Sequence, residues 1–167
     1  MSVLIITTGG TIDKQYVMSN GAMDFTDSCI REILSTGRAR SEFFFKELML
    51  KDSLDMLDSD REQIAKACRD TAADRILITH GTDTMVETAR FIFERYPSVC
   101  EGKTVVLTGA MIPYRVKASD AGFNIGFALA CAKIQAPGIY IAMNARILRW
   151  NTAEKNRQTQ EFISRKP

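Results

Sequence analysis

Two short segments of the chain gather hydroxyls, glycines and a carboxylate just after apolar runs, where a parallel sheet can present chemistry. The first is Thr7-Thr8-Gly9-Gly10-Thr11-Ile12-Asp13. Its paired glycines permit a sharp turn and let backbone N–H groups approach a ligand. Thr11 then offers a hydroxyl in a loop, where a nucleophile can reach its target, although a plain strand-to-helix turn would use the same residues. The segment is neither a dinucleotide fingerprint nor a phosphate loop, because G-x-G-x-x-G and a following G-K-[ST] are both missing. The second segment is Thr79-His80-Gly81-Thr82-Asp83-Thr84-Met85, which leads into a helical pattern. Thr84 and Glu87 have the spacing of a capping box. With Thr84 as the cap, Thr82 and Asp83 are left without a structural duty, though Asp83 is itself a good capping residue. His80 has the chemistry of a general base, but a lone histidine at a strand end is more often a hydrogen-bonded structural residue.

The elements that must position these segments alternate. Strands are expected at Val3–Thr8, Phe43–Met49, Arg75–Thr79, Thr104–Thr108 and Ile139–Met143, and helices at Asp27–Thr36, Ser59–Thr71, Thr84–Tyr96 and Asp120–Ile134. The helix after Thr84 is expected to bury Val86, Ala89 and Phe93, and Pro97 and Pro137-Gly138 are expected to end the last two helices. The strands are continuous apolar runs, as when both faces of a sheet are covered. These features predict an α/β fold, a doubly wound, mainly parallel five-stranded sheet in the order 2-1-3-4-5 with helices on both faces. The connections from strands one and three leave in opposite directions and open a crevice at their carboxyl ends. Thr11 and Thr82 are therefore expected to face each other across it. The tail from Arg146 to Pro167 is polar and is expected to be mobile or bound to a partner.

Composition limits the function classes. Residues 1–167 suit one domain with one core. The net charge of +2 is too small to argue for nucleic acid or an acidic membrane surface, and no apolar run approaches a membrane span. Cys29, Cys68, Cys100 and Cys131 are widely spaced with no C-x-x-C pair, and His80 is the one histidine, so neither a zinc site nor a disulfide framework is expected. The thiols are expected to be reduced and mostly buried. The run Val3–Ile6 has no basic leader and is read as a strand, not a signal peptide, which makes the cytoplasm the default expectation.

Together, T-G-G-T-I at Thr8–Ile12 and H-G-T-D-T-M at His80–Met85, about 70 residues apart, resemble the signature motifs of the bacterial-type L-asparaginase and glutaminase-asparaginase family. Ser53-Leu54-Asp55-Met56 resembles its S-x-D-M substrate loop, and Thr108-Gly109-Ala110-Met111-Ile112-Pro113 its turn after the fourth strand. Ser119-Asp120 with Phe123-Asn124 resembles the start of its following helix. Asn144 with Lys155 eleven residues later resembles the segment that delivers its lysine. Two departures from the pattern are expected or seen: the chain is expected to lack the second, C-terminal domain of longer members, and Leu54 stands where a glutamine is usual.

The resemblance implies hydrolysis of the side-chain amide of L-asparagine by threonine nucleophile chemistry, with no metal or organic cofactor. It maps a nucleophile onto Thr11, with Tyr16 as the nearest loop tyrosine. A second catalytic cluster maps onto Thr82, Asp83 and Lys155, in which Lys155 takes a proton from Thr82 or a neighbouring water. Substrate binding maps onto Gly10, Ser53, Gly81, Thr82 and Asp83, with backbone N–H groups at Gly10–Thr11 and Gly81–Thr82 as oxyanion donors. A homo-oligomer, dimer or dimer of dimers, is implied because the crevice otherwise lacks a wall. A weak amino-acid-binding module and the amidase component of an amidotransferase assembly are the competing readings.

Overall fold

The computed structural model describes residues 1–165. In chain order the strands are β1 (Ser2–Gly9), β2 (Lys14–Val17), β3 (Ala22–Phe25), β4 (Glu42–Lys51), β5 (Arg75–Thr79), β6 (Thr104–Thr108), β7 (Gly138–Met143), β8 (Arg146–Arg149), β9 (Ala153–Asn156) and β10 (Glu161–Ser164). The α-helices are α1 (Ile30–Thr36), α2 (Asp58–Asp70), α3 (Met85–Arg95), α4 (Val99–Gly102) and α5 (Ala121–Ile134). The central sheet runs β4-β1-β5-β6-β7-β8. Its first five members are parallel and are the five expected strands in the expected order; β8 adds an antiparallel edge beside β7.

Side-chain alternation along the strands divides the core into two layers. Leu4 and Ile6 of β1, Ile76 and Ile78 of β5, and Val105 and Leu107 of β6 pack with Ile64 and Cys68 of α2 and Met85, Ala89 and Ile92 of α3. Val3 and Ile5, Leu77, Val106 and Tyr140 point the other way and pack with Ile33 and Leu34 of α1 and Ile125, Ala128 and Leu129 of α5. Helices thus cover both faces, and β5, β6 and β7 are buried almost throughout. The strand β4 alternates between exposed and half-buried over much of its length, as an edge strand does. Cys29, Cys68 and Cys131 are buried free thiols, and Cys100 is half-buried.

Two expectations are corrected, and one hairpin is added. The residues from Arg146 to Arg165 are not a mobile tail: β8 pairs with β7, and β9 pairs with β10 in a hairpin whose Ala153 and Phe162 enter the α2–α3 layer of the core. The last two residues of that tail, Lys166 and Pro167, lie outside the described residues. Helix α3 buries Met85, Thr88, Ala89 and Ile92, whereas Phe93 is exposed and packs on Trp150 with ring centroids 4.8 Å apart. The buried stripe is rotated because the helix packs against both the sheet and α2, a surface that helical periodicity alone does not reveal. The loop after Asp13 carries a hairpin, β2–β3, that its mixed polar sequence concealed.

Candidate active site

The end of β1 and the end of β5 meet through glycine backbone. Gly9 and Gly10 have φ of 91° and 83°, a region that side chains disfavour. A Cβ on Gly9 would lie 2.4 Å from the Lys51 nitrogen, and one on Gly10 would lie 2.4 Å from the Gly81 nitrogen. The T-G-G-T turn is therefore seated on the end of β4 and on the H-G-T-D turn, and only glycine permits that approach. The Thr8 hydroxyl donates to the Thr79 carbonyl at 2.7 Å and ties the two strand ends together. Thr11 begins the one-turn 3₁₀ segment Thr11–Asp13 that follows and is half-buried.

Gly81 is packed against Ser53 as closely as Gly10 is against Gly81: a Cβ there would lie 2.5 Å from the Ser53 Oγ. Ser53 opens a second 3₁₀ turn, Ser53–Asp55, and its buried hydroxyl has no hydrogen-bond partner among the described residues. Asp52 caps this turn by accepting from the Leu54 N–H at 3.1 Å. Thr84 does not cap α3 through its side chain. Its hydroxyl instead donates to the Ser53 carbonyl at 2.8 Å, which joins the start of α3 to the Ser53 turn and corrects the expected capping box. The cap was misread because the competing acceptor lies 31 residues away in sequence.

Lys155 reaches this cluster from the other end of the chain. Asn144 and Ala145, both at positive φ, form the two-residue connection that folds β8 back along β7. The chain then returns through β9, and Lys155 Nζ donates to Thr82 Oγ1 at 2.8 Å and to Asp83 Oδ1 at 2.9 Å. The lysine side chain is only 10% exposed and that of Asp83 is 32% exposed. Thr82 is buried. Three of the expected residues are thus in direct contact, and Gly10, Gly81 and Ser53 are packed in the same place.

Tyr16 stands apart. It lies on β2, is 64% exposed, and makes no side-chain hydrogen bond to Thr11. His80 is fully buried, with Nδ1 2.8 Å from the Gly81 carbonyl and Nε2 2.8 Å from the Thr88 hydroxyl. Burial pushes its pKa from 6.5 down to about 4, against the opposing effect of the Gly81 carbonyl. A neutral ring donating from Nδ1 and accepting at Nε2 satisfies both neighbours, so His80 is structural. Asp120 accepts from the Met111 and Ile112 amides, and Asn124 bonds the Gly109 carbonyl and the Asn144 amide. These two residues hold the turn after β6 and the turn after β7.

Sequence reasoning missed Asp13, Lys14 and Asp52. Asp13 is buried; its Oδ1 accepts from the Cys29 N–H at 2.8 Å and from the Ser28 hydroxyl at 3.1 Å. It thereby closes the root of the β2–β3 hairpin. Desolvation raises its pKa from 3.8 to about 6, in spite of those two bonds. Lys14, the next residue, pairs with Asp52, whose carboxyl is held below its ordinary range chiefly by that contact. An acidic residue directly after T-G-G-T-I was the available signal. Among the described residues, no group of three or more His, Cys, Asp or Glu side chains could hold a metal ion. Backbone amides at two strand ends, loop hydroxyls and a lysine–carboxylate pair are the equipment of nucleophilic acyl transfer.

Residues 2–164 match the family model described as asparaginase, N-terminal. The chain is 33% identical over 162 residues to the probable periplasmic L-asparaginase of Haemophilus influenzae, an alignment covering 88% of this chain and 44% of the relative. It is 28% identical over 156 residues to a glutamyl-tRNA(Gln) amidotransferase component of Methanococcus vannielii, covering 87% of this chain and 35% of that one. Among solved structures, L-asparaginase I of Vibrio cholerae superposes with a TM-score of 0.79 at 28% identity, covering 98% of this chain and 51% of that chain. The chain spans about half the length of the asparaginases it matches.

Proposed function

The chain belongs to the asparaginase family, matching its N-terminal domain, and from that premise we propose that it is an amidohydrolase that converts L-asparagine to L-aspartate and ammonia. The observation that carries this reading is the contact of Lys155 Nζ with both Thr82 Oγ1 and Asp83 Oδ1. An amino-acid binder has no need of a lysine held between a hydroxyl and a carboxylate, whereas proton transfer during amide hydrolysis does.

In the proposed reaction the Thr11 oxygen attacks the side-chain amide carbon, and its proton leaves through Tyr16 once the hairpin folds in over the turn. Backbone N–H groups at Gly10–Thr11 and Gly81–Thr82 receive the oxyanion. The C–N bond breaks, ammonia departs with the transferred proton, and an ester to Thr11 remains. Lys155, oriented by Asp83 and acting as the amine, takes a proton from the water beside Thr82, directly or through the Thr82 hydroxyl, which that water reprotonates. The resulting hydroxide cleaves the ester, the proton on Lys155 returns along the same path to the leaving Thr11 oxygen, and the released acid loses its proton to solvent as aspartate. Asp83 also meets the substrate ammonium, and Ser53, with its unpartnered hydroxyl, meets the carboxylate. Ammonia release from asparagine by wild type, Thr11→Ala and Lys155→Met tests the assignment. Removing an acid–base group should cost roughly 10²- to 10⁴-fold, and removing the nucleophile at least as much. Folded variants of either kind with wild-type turnover would reassign the roles.

We place the protein in the cytoplasm on its free, mostly buried cysteines, and as a homo-oligomer in which a second copy completes the wall of the crevice. The described helices include none long and apolar enough to cross a membrane. The similarity to an amidotransferase component favours a second reading, in which the chain is the amidase part of a larger assembly. Glutamine-dependent complex formation in native extract separates the two.

A further inference from the structure

Three segments of the proposed site converge on a pair of charges that the proposed reaction does not use. Lys14 starts β2 directly after the Thr11–Asp13 turn. Its ammonium forms an ion pair with Asp52, which lies directly before Ser53, and both side chains are mostly shielded, at 25% and 29% exposure. The two Asp52 oxygens have separate tasks: Oδ2 takes Lys14 while Oδ1 caps the Ser53 turn through the Leu54 N–H. Lys14 also lies 5.8 Å from the centre of the Phe25 ring, on the far strand of the hairpin, and Lys14 and Phe25 are cross-strand partners. The remaining connections are backbone: the Gly10 N–H donates to the Lys51 carbonyl at 2.8 Å, one residue before Asp52.

We infer that Lys14 is a positioning residue that locks the root of the β2–β3 hairpin to the Ser53 turn, so that nucleophile, hairpin and carboxylate-binding turn are assembled as one unit. Its catalytic consequence rests on the asparaginase reading, but the mechanical coupling stands on the contacts alone. An exposed ion pair contributes little, because water screens it and holding two long side chains costs entropy. This pair differs in being shielded, and in having its acid committed at once to the turn that carries Ser53. Loss of either charge frees the other partner: without Lys14 the Asp52 carboxylate is drawn to solvent and uncaps the turn, and without the Asp52 charge Lys14 releases the hairpin. The other cation that acts on Asp52 is Lys155, so a freed Asp52 would also compete for the proposed base.

The test is a double-mutant cycle of Lys14→Met and Asp52→Asn, with Lys14→Arg as the rescue and Lys14→Gln as a second neutral variant should the methionine variant fold poorly. Coupled contacts of this kind correspond to roughly 3- to 30-fold effects. Each single variant is expected to raise KM for asparagine by about that factor with kcat changed far less, the double variant to be no worse than the worse single, and Lys14→Arg to restore most of the loss. Hydrogen exchange of the amides in residues 14–25 is expected to accelerate in Asp52→Asn as much as in Lys14→Met, although residue 52 lies outside that segment. Additive losses, or hairpin exchange unchanged in Asp52→Asn, would overturn the inference. A wild-type protein that releases no ammonia would defeat the asparaginase reading alone, since the exchange cycle is read without substrate.

Discussion

At the scale of single residues, chemistry and stability are in tension around Thr11. Asp13 in the same turn carries a carboxyl whose pKa is raised from 3.8 to about 6, chiefly by burial. Between those values the folded state binds more protons than the unfolded chain, so stability falls as pH rises through the window, by up to about 3 kcal/mol. His80 acts in the opposite sense: with its pKa lowered from 6.5 to about 4, it removes stability as pH falls through that range. Asp13→Asn keeps an acceptor for the Cys29 amide and cannot ionise. Denaturation midpoints followed from pH 4 to 8 should therefore show Asp13→Asn gaining most above pH 6, with only the acid-side loss due to His80 remaining; parallel wild-type and variant curves would show that Asp13 ionises freely. Specificity is also set by single residues. Leu54 is 65% exposed and has neither donor nor acceptor where a polar contact to the substrate is expected. One lost hydrogen bond to a charged group corresponds to about 1.5–3 kcal/mol, so Leu54→Gln is expected to lower KM for asparagine by roughly 10-fold or more. Asparagine is expected to be preferred over glutamine, because an open site holds an extra methylene poorly in register. Steady-state kinetics on both amides decides both points.

At the scale of elements, delivery of Lys155 depends on the reversal after β7. Without the Asn144-Ala145 connection, β8 could not return along β7 and β9 could not carry the lysine to Thr82. Ala145 sits at φ 58°, where a Cβ meets the following carbonyl. Ala145→Gly relieves that crowding but adds freedom to the unfolded chain, so a net gain of about 0.5–1 kcal/mol is expected. Urea denaturation measures it, and turnover should be kept because Lys155 is not displaced. Loss of stability in this variant would mean that the Ala145 methyl is needed for packing.

At the scale of the whole molecule, the glycine turns at the carboxyl ends of β1 and β5 are flanked by the Ser53 turn, packed on Gly81, and by Lys155 of β9. The proposed remaining wall is a second copy of the chain. Light scattering at micromolar concentration is expected to give a multiple of the 18.7 kDa chain mass. A strict monomer with full turnover would show that the hairpin alone closes the site.

The parallel order of the sheet, both helix layers and the two glycine-rich turns were legible from sequence, because continuous apolar runs, helical periodicity and right-handed crossovers act locally or admit few alternatives. Thr11, Thr82 and Asp83 were singled out for the same reason: their segments follow the two strands from which the connections diverge. Lys155 was legible only through a family resemblance, since a lysine in a polar tail has no local signature, and only the folding back of β8 and β9 places it on Thr82. The capping box at Thr84 failed because the hydroxyl is claimed by the Ser53 carbonyl. Lys14 and Asp52 were silent in the sequence, and Asp13 had as its signal only its place after T-G-G-T-I, because each matters through a contact made 15 or more residues away. Long-range contacts between polar side chains are set by which strand ends the sheet brings together, and only the tertiary structure decides that.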